Sequence, residues 1–129
     1  MESGLEQGSI EARSMTWALR VTFNKLNGVH VVGVAGRLSG SNSAELEAAL
    51  EDAALKAERR LVVDLSGVDY LSSGGLIVLQ AAATRCREAG GMLVLVGITD
   101  PVRIALELGG LVPQISVQPS IEAASRALS

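Results

Sequence analysis

Two hydroxyls stand side by side in the segment Tyr70-Leu71-Ser72-Ser73-Gly74-Gly75-Leu76. An apolar run over residues 61–65 precedes them, and a helical pattern begins with them. They therefore fall where a strand and its loop hand over to a helix. A serine there can act as the helix N-cap, accepting a hydrogen bond from the second or third helical N–H. One serine suffices for that. A second, exposed hydroxyl at the same place can accept a phosphate, because free N–H groups and the positive end of the helix dipole receive the new anion. The added charge of about −2 falls on any surface docked against that helix end and breaks a complementary interface. Cap and phosphoacceptor both stay open at this point.

No other cluster carries catalytic chemistry. Lys25 follows Asn24 and Lys56 follows Leu55, so the Gly-Lys pair of a nucleotide-binding P-loop is missing, as are Gly-x-Gly-x-x-Gly and Gly-x-Ser-x-Gly. A Ser-His-Asp triad would need His30, the single histidine, which sits mid-strand and far in sequence from Ser72 and Ser73. The expectation for His30 is a solvent-facing or edge-strand side chain. Cys86 lies on an apolar helix face and reads as a buried structural thiol. Asp64 and Asp69 are five residues apart; Asp64 is read as holding free N–H groups of the following loop rather than as an acid–base or metal carboxylate. One cysteine and one histidine exclude an internal disulfide and a structural zinc site. The expectation is no catalytic residue, no metal and no cofactor.

The elements that must position the two serines follow from periodicity. Residues 16–23 alternate, with Trp17, Leu19, Val21 and Phe23 on one face, and predict a half-buried strand. Asn27-Gly28 predicts a hairpin turn, and residues 29–36 a second, inner strand. Residues 41–56 predict a helix with Leu46, Ala49, Leu50, Ala53 and Ala57 inward and Asn42 with Glu45 as its cap. A strand over 61–65 and a loop over 66–71 lead to the serines. The helix that follows runs to about residue 89, with Leu76, Leu79, Ala83 and Cys86 inward, and stops at Gly90-Gly91. A strand over 92–97 comes next. Asp100-Pro101 opens a short helix, Asp as cap, whose apolar members are Val102, Ile104, Ala105 and Leu108. A strand over 115–117 and a helix starting at Pro119-Ser120, with Ile121, Ala124 and Leu128 inward, complete the chain. The order ββαβαβαβα predicts a single α/β domain: a mixed, mostly parallel sheet with an N-terminal hairpin and about four helices. Sites in such sheets form at the carboxyl ends of strands.

The chain has 129 residues, 48% apolar and 19% charged, which is a globular composition of one-domain size. Residues 1–14 are polar and Gly/Ser/Glu-rich and read as a flexible arm ahead of a domain over 15–129. Three aromatic residues, a net charge of −3 and eleven scattered Lys and Arg argue against nucleic acid as a partner. No apolar run is long enough to span a membrane, and no signal-peptide pattern opens the sequence. The expectation is a cytoplasmic protein without direct membrane insertion.

The segments Gly33-Val34-Ala35-Gly36-Arg37-Leu38, Leu61-Val62-Val63-Asp64-Leu65-Ser66-Gly67-Val68-Asp69-Tyr70-Leu71-Ser72-Ser73-Gly74-Gly75-Leu76 and Gly90-Gly91-Met92-Leu93-Val94-Leu95-Val96-Gly97 together resemble the STAS domain of bacterial anti-sigma factor antagonists. The resemblance covers about residues 16–128. It implies a regulatory binding module rather than an enzyme. The unphosphorylated module binds an anti-sigma factor that is itself a serine kinase, which frees the sigma factor. The kinase phosphorylates a serine at the start of the second helix and the complex falls apart; a metal-dependent phosphatase resets it. The resemblance points to Ser73, then Ser72, as phosphoacceptor candidates, and to Ser39, Asp69, Tyr70, Ser72, Ser73, Gly74 and Gly75 as the partner-binding set. Against the family's Asp-Ser-Ser-Gly-Leu, an ungapped alignment puts Ser72 at the Asp, Ser73 at the first Ser and Gly74 at the acceptor. Ser39 stands where the family carries an Asp after the second strand. STAS domains also resemble constitutive scaffold subunits of transporters and stress-sensing complexes, which is the alternative reading.

Overall fold

The computed structural model describes residues 19–26, 28–39, 42–57, 60–110 and 115–128. Strands β1 (Arg20–Leu26) and β2 (Val29–Leu38) form the hairpin, followed by helix α1 (Ser43–Lys56) and strand β3 (Arg60–Leu71). Helix α2 (Ser73–Glu88), strand β4 (Met92–Val96), helix α3 (Asp100–Leu108), strand β5 (Ser116–Gln118) and helix α4 (Ile121–Leu128) complete the order. The five strands lie side by side in chain order; β1 and β2 are antiparallel and the remaining pairs are parallel. The mixed sheet with its hairpin and four helices is the architecture the periodicity predicts.

Alternation along the strands divides the core in two. Val32, Val34, Leu61, Val63, Leu65, Leu93 and Leu95 point to one face, where they meet Leu46 and Leu50 of α1, Leu79 and Cys86 of α2, and Val102 and Leu106 of α3. Val31, Val62, Val94 and Val96 point to the other face, beneath Ala124 and Leu128 of α4. With almost no aromatic residue to spend, close packing of these aliphatic side chains carries the hydrophobic stabilisation.

Several boundaries differ from the sequence expectation, each for a physical reason. The first strand runs from Arg20 to Leu26, and its expected start over 16–18, Trp17 included, lies outside the described residues. Leu19 is buried and Val21 half-buried, but Phe23 is exposed because it stands on the edge strand, outside the cover of α1. Gly28 takes the positive φ of the turn, while its neighbour Asn27 falls outside the described residues. Helix α1 starts at Ser43; of the two residues expected before it, Ser41 lies outside the described residues. The expected loop over 66–71 is strand instead. Ser66, Gly67 and Asp69 look like turn residues, yet β3 keeps pairing with β2 through two register shifts, to Arg37 opposite Tyr70 and Leu38 opposite Leu71. Each shift gives β3 one residue more than β2, as in a β-bulge.

In α2, Val78 and Ala82 join the buried face and Leu76 is only half-buried. Gly90, with φ +88, ends the helix as expected. In α3, Thr99 rather than Asp100 occupies the N-cap position, and its hydroxyl donates to the Val68 carbonyl at 2.8 Å. Asp100 instead pairs with Arg103 at 2.6 Å. The buried pair in α3 is Val102 and Leu106; Ile104 and Leu108 face solvent. At α4 the Ser120 hydroxyl accepts from the Ala123 N–H at 3.1 Å. Cys86 is buried. Asp64 Oδ1 accepts from the Ser66 N–H at 3.0 Å, the loop-holding role expected of it. His30 is half-buried at the start of β2, an interior strand rather than an edge, at the opposite end of the sheet from Ser72.

Candidate functional site

The end of β3 delivers the chain into α2 with no loop between them. Leu71 is the last strand residue, Ser72 is extended (φ −84, ψ 171), and Ser73 is the first residue of the helix. Ser72 is fixed three times. Its N–H donates to the Leu38 carbonyl at 2.9 Å, its carbonyl accepts from the Leu76 N–H at 3.0 Å, and its Oγ accepts from the Gly75 N–H at 3.2 Å. Ser72 is therefore the N-cap. Ser73, one residue on, is exposed. The division of labour between the two hydroxyls follows from position alone: the cap turns inward to the third helical N–H, and the first helical residue turns out.

Gly75 explains why this turn sits so close to the sheet. A Cβ there would lie 2.7 Å from Leu71 Cδ1 and 2.8 Å from Leu38 Cγ, so only a glycine lets the first turn of α2 rest on the ends of β2 and β3. Gly74 beside it is half-buried. The first turn of α2 contains no acidic residue, which leaves the positive end of its dipole uncompensated by side chains.

The neighbouring strand end is held by Asn42, the one buried polar side chain among the described residues, 7% exposed. Asn42 occupies the N-cap position of α1 but makes no side-chain cap; the expected box with Glu45 does not form. Its Oδ1 accepts from the Ser39 N–H at 3.0 Å and its Nδ2 donates to the Arg37 carbonyl at 2.8 Å. Asn42 thus fixes the shape of the turn that carries Ser39, which is half-buried. Arg37 lays its guanidinium over the Tyr70 ring, 4.4 Å from the centroid. Asp69 and Tyr70 are both exposed.

All seven residues expected at the partner surface therefore gather at the carboxyl ends of β2 and β3. Ser39 comes from the turn after β2, Asp69 and Tyr70 from β3, and Ser72 to Gly75 from the helix start. Sequence reasoning missed four contributors. Arg37 needed the Arg37–Tyr70 register, and Asn42 looked like an ordinary cap. Ile77 and Leu108, 64% and 84% exposed, add apolar side chains to the surface of these helices. The carboxyl end of α3 abuts the start of α2, since a Cβ at Gly109 would lie 3.1 Å from Leu76 Cδ1. The sequence names Leu108 only as one of the apolar members of this helix. Among the described residues no three His, Cys, Asp or Glu side chains gather to hold a metal ion.

The comparisons with known proteins point to one family. BtrV of Bordetella bronchiseptica, named for an anti-sigma factor antagonist, is 36% identical over 109 residues, covering 84% of this chain and 94% of its own. The anti-sigma-F factor antagonist RsfB of Mycobacterium tuberculosis is 34% identical over 72 residues, 56% of this chain and 59% of RsfB. The crystal structure of an anti-sigma factor antagonist from Mycobacterium paratuberculosis superposes with a TM-score of 0.78 at 26% identity, covering 88% of this chain and 96% of that one. The family model for the STAS domain matches residues 20–124, from the first residue of β1 into α4. On that match, and on a sheet whose third strand runs straight into a serine-capped helix, this chain belongs to the STAS domain family.

Proposed function

We propose that this protein is an anti-sigma factor antagonist that docks on its anti-sigma factor through the start of α2, and that the anti-sigma factor is a serine kinase whose phosphorylation of Ser73 ends the complex. The names borne by BtrV and RsfB support the antagonist role. The observation that carries the switch is the separation of the two hydroxyls: Ser72 is engaged as the cap, which leaves Ser73 exposed beside it. Phosphate on Ser73 would meet the free N–H groups of the first turn and the positive dipole end, so the domain itself tolerates it. The partner does not, because about two negative charges arrive inside the contact. Exposed Tyr70, Ile77 and Leu108 offer the apolar anchors around that point. The role is binding rather than catalysis, in the cytoplasm, with a phosphatase returning Ser73 to its free form.

The experiment is calorimetric titration of the anti-sigma factor from the same genome into the chain and into Ser73→Asp, with intact mass after incubation with that protein and ATP. The expected result is tight binding, a loss of at least about tenfold for Ser73→Asp, and a mass gain of one phosphate that Ser73→Ala abolishes. An acidic residue at the first helical position suits the helix dipole, so lost binding by Ser73→Asp is not lost folding. The second reading, a constitutive scaffold subunit, is favoured by Gly74, which stands at the family's acceptor position. Undiminished binding by Ser73→Asp, with no mass gain, would select it.

A further inference from the structure

A second site opens at the far end of the sheet. Lys25, Gly28, Val29, His30, Lys56, Ala57, Arg60 and Leu128 surround a cleft of about 260 Å³ at the amino ends of β2 and β3. Lys25 and His30 are cross-strand partners in the hairpin, and Arg60 opens β3 beside it. Lys56 reaches in from the last turn of α1. Three permanent cations and an imidazole thus line one cleft in a chain whose net charge is −3, and no carboxylate is among the described residues that line it.

The carboxyl end of α1 attracts cations, and this accounts for Lys56, which also pairs with Asp52 at 3.2 Å. It does not account for Lys25 and Arg60, which form no ion pair among the described residues. Like charges sharing one cleft repel, and an anion between them removes the repulsion. Arginine grips phosphate oxygens with two parallel N–H donors and lysine adds a point charge. The volume is below the range of pockets that enclose drug-sized molecules, which favours a small occupant.

We propose that this cleft binds a small, multiply charged phosphate-type oxyanion, held by Lys25, Lys56 and Arg60 with His30 at its wall. Strand β3 separates it from Ser73 by twelve residues, on the order of 40 Å at the rise of a β-strand, so it is not part of the docking surface.

The test uses the full chain and inorganic pyrophosphate, with phosphate and sulfate alongside, titrated by calorimetry at low ionic strength. Expected is one saturable site that weakens with added salt, with Lys25→Gln and Arg60→Gln each loosening pyrophosphate by about tenfold. Arg87→Gln, outside the cleft, leaves it unchanged. Backbone amide shifts on adding pyrophosphate to the unsubstituted protein should centre on Gly28, His30 and Arg60, a readout that stands even if a variant folds poorly. The proposal is overturned by a flat titration without those shifts. Equal losses in Arg87→Gln and Arg60→Gln overturn it too. So does an acidic peptide that saturates the cleft when pyrophosphate does not, which would make it a protein-docking face.

Discussion

The two ends of the sheet are built on opposite plans. At the carboxyl end nearly every residue supports the fold. Ser72 caps, Gly75 fits between Leu38 and Leu71, and Asn42 ties Arg37 to Ser39. Only Ser73 and the apolar side chains around it are left over. At the amino end the reverse holds. Lys25 and Arg60 are exposed, and their side chains form no ion pair among the described residues. A surface framed by rigid backbone can present one hydroxyl in a fixed place, whereas a surface of loose cations responds mainly to charge. The contrast teaches that stability and recognition are interleaved at one end and separable at the other.

Substitutions can break that contrast. Gly75→Val should have the largest effect, about 3 kcal/mol of lost stability in urea unfolding, because the added side chain meets Leu71 and Leu38 at less than contact distance. Asn42→Ala leaves the Ser39 N–H and the Arg37 carbonyl without their partner, and should cost about 2 kcal/mol in the same assay. Ser72→Ala removes the cap and should cost about 1 kcal/mol, most of it restored by Ser72→Asp. At the amino end, Lys25→Gln and Arg60→Gln should each change stability by no more than about 0.5 kcal/mol. A loss above about 1 kcal/mol for either would mean that the cations support the fold after all, and the contrast would fail.

Much of the fold is legible in the sequence because the core is aliphatic and periodic. Leu46 and Leu50, or Leu79 and Cys86, recur at helical spacing and are buried as that spacing requires. The serine turn is legible for a similar reason, since hydroxyls ahead of a helix have few structural uses. What escaped depends on contacts between segments distant in the chain. Residues 66–71 carry turn-forming types, and only the pairing with β2 makes them strand. Asn42 has the spacing of a cap, but the nearby strand end competes for its amide and wins. Leu108 has the spacing of a core residue, but α3 buries only Val102 and Leu106 against the sheet. Arg37 and Tyr70 lie far apart in sequence and meet through strand register alone.

The side-by-side order of the five strands has a consequence for biosynthesis. Each strand that leaves the ribosome finds its hydrogen-bonding neighbour already made, and none has to be inserted later between two others. Folding can therefore advance from the hairpin as the polypeptide lengthens. Synthesis adds β5 and α4 after β4, so until they arrive β4 exposes one unpaired edge, and Val31, Val62 and Val94 wait for the cover that α4 supplies.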